Sequence, residues 1–208
     1  MLTELYPQFL TIATLHLFAV MSPGPDFALI IKQTFFHGRK SSIITSLGIG
    51  TGILFHIIYC ITGLGVVLSS SPYLFKLIKI SGGLYLIFIG YKSLLAKATI
   101  DLKESGEKLE TSNINAFSTG LLTNILNPKA TLFFLSLYTF IISEQPIIHI
   151  QIFYGAWMSL VTTLWFCCLS IILTNRLITK QIGGFLHVIQ NITGIMLIAI
   201  GIQLVFLN

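Results

Sequence analysis

From Ile43 to Leu68 the chain reads IITSLGIGTGILFHIIYCITGLGVVL, with no Asp, Glu, Lys or Arg and one histidine, His56. A helix needs about 20 apolar residues to cross a bilayer, and this run is long enough. Such runs recur at roughly Phe9–Phe36, Ile43–Leu68, Leu74–Leu95, Ala116–Ile142, Ile147–Thr174 and Phe185–Phe206. A soluble fold is excluded by the shortage of polar surface. The chain is 54% hydrophobic and 9% charged, with mean hydropathy +0.89, against about 25% charge in soluble domains. Backbone polar groups inside lipid must be satisfied within the segment, so the runs are predicted to be transmembrane helices. No stretch shows the alternation of a membrane barrel.

The net charge of +5 is then read as basic loops at a membrane face rather than a nucleic-acid footprint. Lys32, Arg39 and Lys40 flank the first connection, Lys92, Lys97, Lys103 and Lys108 the third, and Arg176 and Lys180 the fifth. Only Lys76 and Lys79 lie on the opposite side. The positive-inside rule puts the odd connections in the cytoplasm and both termini outside. The N-terminus carries Glu4, has no Lys or Arg before Lys32 and offers no A-x-A site, so it is a poor signal peptide. Cys60, Cys167 and Cys168 all lie within apolar runs, which favours buried thiols over a disulfide frame or a metal site.

One stretch, KATIDLKESGEKLETSN from Lys97 to Asn113, is plainly hydrophilic. It reads as a solvated cytoplasmic linker (97–113) between two halves, 1–96 and 114–208. The halves resemble each other. SGGLYLIFIGYKSLL closes the first and ITGIMLIAIGIQLVF the second, with Gly83 and Gly90 matching Gly194 and Gly201. The first segment of each half is interrupted by proline, at SPGP (22–25) and at NPKA (127–130). Three spans per half is an odd number, so the second half must enter the membrane from the other side. The expected fold is all-α, with six transmembrane helices in two inverted three-helix repeats and the first helix of each repeat broken by proline. Many secondary transporters have this architecture.

Proline removes a backbone donor and clashes with the preceding turn. A Ser or Asn cap followed by proline starts a helix well, so Ser22-Pro23 and Asn127-Pro128 are expected to open new half-helices near the midplane. Such N-termini present free N–H groups and a positive dipole end, a ready site for a carboxylate. Gly24 and Pro25 complete the first break. Asp26 and Lys129 fall in the first turns of the new half-helices. An ion at the bilayer centre costs at least about 2.5–3.5 kcal/mol. The helix N-terminus favours Asp26 but disfavours Lys129, so Lys129 needs a further reason to be there. Two readings stand: Lys129 holds a substrate carboxylate while Asp26 faces an ammonium group or exchanges protons, or the two residues pair and close the halves on each other.

His56 has an unperturbed pKa of about 6.5 and is either a proton relay or a neutral histidine bonded to a neighbouring helix. Asn124 stands where it can satisfy carbonyls freed by Pro128. Gly48 and Gly52 form a G-x-x-x-G pair, read as close helix packing and compatible with a homodimer. Tyr154 and Trp157 are expected to pack or to anchor at interfaces.

Together SPGPDF, ISGGLYLIFIGYKSLL and AFSTGLLTNILNPKATLFF resemble the LysE/RhtB family of bacterial amino-acid exporters, over nearly the whole chain. The resemblance implies export of amino acids across the cytoplasmic membrane, driven by protons, with no cofactor and no enzymatic turnover. It places the family's Pro-Gly-Pro motif on Pro23, Gly24 and Pro25, and its Asn-Pro-Lys motif on Asn127, Pro128 and Lys129. In that family, exporters of Lys and Arg tend to carry an Asp after the G-x-x-x-G. Here Ile53 follows Gly52, which points to a neutral substrate such as threonine, homoserine or leucine, since a second cation would lack a desolvated partner. Other small solutes remain an alternative cargo. A divalent cation is disfavoured by the shortage of intramembrane carboxylates. An intramembrane enzyme lacks a nucleophile–base or H-E-x-x-H motif. A membrane scaffold would explain the helices but not two charged breaks.

Overall fold

A chain that cannot donate at Pro23, Pro25 or Pro128 must end and restart its helices there. In the computed structural model, residues 2–64, 70–95, 110–144, 147–174 and 182–206 are described, and they form α-helices with no strand among them. Helix α1 (Leu2–Met21) ends before Ser22-Pro23, and α2 (Pro25–Tyr59) begins at Pro25 and runs into a π-helical turn at Cys60–Leu64. There follow α3 (Pro72–Leu95), α4 (Asn113–Ile125), α5 (Pro128–Glu144), α6 (Ile148–Ile172) and α7 (Ile182–Phe206). Pro25–Gly63, Lys76–Leu95 and Ile148–Ile172 are long and apolar enough to cross a membrane, and Pro7–Met21 and Asn191–Gln203 are shorter apolar helices. Large side chains such as Leu54, Ile58, Leu84, Leu160 and Ile195 stand exposed. That is the surface of a protein whose solvent is lipid. The predicted linker lies mostly outside the described residues. Its last part is extended up to Ser112, whose hydroxyl caps α4 by accepting from Asn115 N at 3.2 Å.

The first connection lies where it was expected, between Phe36 and Ile43, but it is only a kink: α2 is two helical arms joined at Gly38, whose φ 84°, ψ 173° is non-helical. That φ suits glycine, which has no Cβ to clash. Thr34 Oγ1 donates to Ser42 Oγ at 2.8 Å and Ser41 Oγ to Gln33 Oε1 at 2.9 Å. In a straight helix, residues eight apart are separated by about 12 Å. The chain therefore folds back at Gly38, and Pro25–His37 lies against the arm that follows. Lys32, Arg39 and Lys40 are exposed around this bend.

Glycines set the helix contacts. A Cβ on Gly48 would strike the carbonyl of Phe117, and one on Gly120 that of Thr45. This close approach of α2 and α4 is reinforced by Thr45 Oγ1 donating to Ala116 O at 3.1 Å. Gly48 and Gly52 thus serve packing, as read from the sequence. Helices α3 and α7 lie antiparallel. A Cβ on Gly90 would fall 2.6 Å from Gly194 O, one on Gly194 2.8 Å from Gly90 O, and one on Gly201 2.5 Å from Gly83 O. Across α2 and α6, Ser42 Oγ and Ser170 Oγ are 2.7 Å apart, and Ser159 Oγ donates to Gly50 O at 2.7 Å. A buried core of Ile12, Ile53, Leu86, Phe134, Tyr138 and Leu197, among others, draws on six of the helices. The cysteines are free, but only Cys60 is buried; Cys168 is exposed on α6, away from the buried position expected for it.

Replacing Gly90 by Val should cost about 1–3 kcal/mol through overpacking. The check is thermal unfolding in detergent, with Leu84→Val on the exposed face of the same helix as the control that leaves the midpoint unchanged.

Candidate functional site

The two breaks come together. A cavity of about 50 Å³ lies between them, lined by Ser22, Gly24 and Asp26 from the first and Asn124, Asn127 and Lys129 from the second. One water needs roughly 10–15 Å³, so the space suits a few waters or one small polar head group. Its remaining walls include Phe27, Phe133, Phe134 and Phe166.

Each charged side chain is held by the other half of the chain. Asn124 Nδ2 donates to Asp26 Oδ2 at 2.9 Å, and Asn127 Nδ2 donates to the same oxygen at 3.3 Å. Lys129 Nζ donates to the carbonyls of Ser22 and Pro23, both at 3.3 Å. Those carbonyls follow the last turn of α1, the negative end of its dipole. The ammonium of Lys129, misplaced at its own helix N-terminus, is well placed at the C-terminus of α1. Asp26 and Lys129 make no bond to each other: their bonds go to amides and carbonyls instead. An ammonium has three donors, and Lys129 commits two of them. Asp26 Oδ1 is buried and has no partner among the described residues, while Asn124 Oδ1 is turned against Gly52. Of the residues lining the cavity, Asp26 therefore keeps one unpaired oxygen and Lys129 one uncommitted donor.

Local geometry explains the placement and corrects two expectations. Asn127 caps α5 as expected, its Oδ1 accepting from Lys129 N at 3.0 Å. Ser22 does not cap the first restart. Ser22 N still donates to Phe18 O at 3.1 Å, which continues α1. The cap is Gly24, with no side-chain bond, and Pro25 opens α2. A small residue suits that position because Lys129 passes over it: a Cβ on Gly24 would lie 3.3 Å from Lys129 Nζ. Nor does the Asn124 side chain serve the carbonyl freed by Pro128. That carbonyl is Asn124 O, which accepts from Asn127 N at 3.0 Å and lies 3.1 Å from His56 Nε2. A carbonyl only accepts, so His56 carries a proton on Nε2, and its Nδ1 lies 2.8 Å from Tyr59 Oη, which also reaches Thr131 O at 3.4 Å. His56 stacks on Phe134 with centroids 5.5 Å apart. It supports the wall without lining the cavity, as do Pro23, Pro25 and Pro128.

Two polar lining residues, His16 and Thr162, were missed from the sequence. His16 is fully buried, with Nε2 3.2 Å from Thr162 Oγ1. The signal was available, since His16 is the one histidine of its apolar run, as His56 is of the next.

A family model described as LysE type translocator matches residues 17–207. An uncharacterized membrane protein YrhP of Bacillus subtilis is 34% identical over 88% of this chain and 91% of its own. A threonine efflux protein of Escherichia coli is 34% identical over 66% of this chain and 68% of its own. A leucine efflux protein of Salmonella choleraesuis is 29% identical over 80% and 78%. No solved structure matches the chain.

Asn127→Ala removes the cap of α5 and one bond to Asp26 together. The cap alone is worth about 0.5–2 kcal/mol, so the unfolding midpoint in detergent should fall by more than it does for a surface Asn113→Ala control.

Proposed function

The chain belongs to the LysE type translocator family, and we propose that it exports small neutral amino acids across the bacterial cytoplasmic membrane. The observation that carries this reading is a pair of uncommitted groups on residues that line the cavity: Asp26 Oδ1 as acceptor and the third donor of Lys129. An amino acid brings an ammonium with three donors and a carboxylate that accepts, and it satisfies both at once. Neutralising each charge locally also lowers the penalty of carrying a zwitterion through lipid. The names of the relatives, threonine efflux protein and leucine efflux protein, support the same substrate class.

The alternating-access frame follows in the same reading. We take the chain as two inverted three-helix repeats, residues 1–96 and 114–208, whose broken first helices meet at the site. In support, Gly83 packs on Gly201 and Gly90 on Gly194, so exchanging the halves maps each contact onto the other. The bend at Gly38, the start of α4 and the end of α6 share one end of the bundle through Ser42–Ser170 and Thr45–Ala116. The basic connections lead from that end, which makes it the cytoplasmic side, with both termini outside. Protons are the proposed coupling ion, with Asp26 the carboxylate that exchanges them in the absence of an ammonium.

In proteoliposomes Lys129→Gln should lower threonine counterflow about 10- to 100-fold, since hydrogen bonds to charged groups are worth about 1.5–3 kcal/mol. Full transport with unchanged affinity removes Lys129 from the site. Asp26→Asn should abolish accumulation driven by a pH gradient while some counterflow persists. Strong export of lysine or arginine contradicts the neutral-substrate reading.

A further inference from the structure

The cavity has a second polar position that the breaks do not explain. His16 on α1 and Thr162 on α6 line it together, and both are buried. Their one bond to each other joins His16 Nε2 and Thr162 Oγ1 at 3.2 Å, and His16 Nδ1 has no partner among the described residues. The ring is fixed from the sides, with its centroid 6.1 Å from that of Phe134 and 5.8 Å from that of Trp157. A buried polar atom left without a partner is destabilising. Leucine or phenylalanine would fill the same volume without that cost, so the orphaned nitrogen asks for a ligand.

We infer that His16 and Thr162 read the side chain of the substrate, and that the group they recognise is a hydroxyl. This rests on the amino-acid reading of the site above. The tautomer decides what the pair offers. If Thr162 donates to Nε2, Nδ1 carries an unmet N–H. If Nε2 donates to Thr162, Nδ1 is an unmet acceptor and the threonine hydroxyl proton is free. A hydroxyl both donates and accepts, so it completes the pair in either state, whereas a methyl group completes neither.

The distances suit one small amino acid. Along α1 the helix rises about 9 Å from His16 to Ser22, where the head-group site begins. The wall between is apolar, formed by Ala19, Val20, Ile53 and Phe133. A ligand with a zwitterionic head, a short carbon chain and a hydroxyl at its tip matches that order. A purely aliphatic side chain still fits the walls but leaves His16 and Thr162 unmet. A site with buried hydrogen-bonding groups rejects analogues that cannot use them.

Threonine and valine provide the test, because they exchange a hydroxyl for a methyl at nearly constant shape. In counterflow with the full chain in proteoliposomes, the wild type should prefer threonine over valine about tenfold, the worth of one buried hydrogen bond of about 1.4 kcal/mol. Thr162→Val and His16→Leu should bring that ratio close to one, mainly by losing threonine transport. Equal handling of threonine and valine by the wild type overturns the inference, whatever the variants do. So does a preference that survives both substitutions. A wild-type chain that moves neither of these, nor homoserine or leucine, instead defeats the amino-acid reading on which the inference stands.

Discussion

Two charges, each held by the opposite half of the chain, organise this protein. A lone ion at membrane depth costs at least about 2.5–3.5 kcal/mol, and a helix broken in lipid leaves backbone groups unmet. The breaks at Pro23–Pro25 and at Pro128 resolve both problems jointly. The broken end of α1 supplies carbonyls to Lys129, and Asn124 and Asn127 beside the second break supply amides to Asp26. Amide bonds to a carboxylate are worth about 1.5–3 kcal/mol each, the same order as the cost of the ion. Neither half can satisfy its own charge, so the breaks must meet.

The rest of the fold brings them together. Helices without side chains at Gly48 and Gly120 let α2 and α4 touch backbone to backbone, which carries Asn124 to Asp26. Gly52 leaves room for Asn124 itself, since a Cβ there would sit 2.6 Å from its Oδ1. His56 on the same helix meets the carbonyl that Pro128 cannot bond. Small residues and one histidine on α2 therefore prepare the second break for its role. In lipid, where apolar burial between helices gains little, such close contacts and interhelical hydrogen bonds are what hold spans together.

Much of this was legible in the residues. Proline marks a helix end in any solvent, so both breaks could be placed; the matched glycines were read only as a sign of the repeat, and the structure shows that they also pack α3 on α7. Asn127 could be read as a cap because its bond is local. The errors have physical causes. Lys32, Arg39 and Lys40 rightly marked the first connection, but nothing in the residues showed that a single glycine with positive φ would make the whole reversal. Ser22 outranks Gly24 as a cap by propensity, yet the cap falls on Gly24, where Lys129 passes close by and a Cβ would be tight. Asn124 was assigned to the nearest carbonyl, because a bond to Asp26 depends on a tertiary contact between α2 and α4. His16 escaped notice since its partner, Thr162, is on another helix.

The central claim is that Asp26 and Lys129 are kept apart to receive one zwitterion between them. An experimental structure of the full chain with L-threonine bound tests it most directly. The expected result places the ammonium nitrogen within hydrogen-bond distance of Asp26 Oδ1 and the carboxylate against Lys129 Nζ. Threonine bound elsewhere, with Asp26 and Lys129 joined to each other, would contradict it.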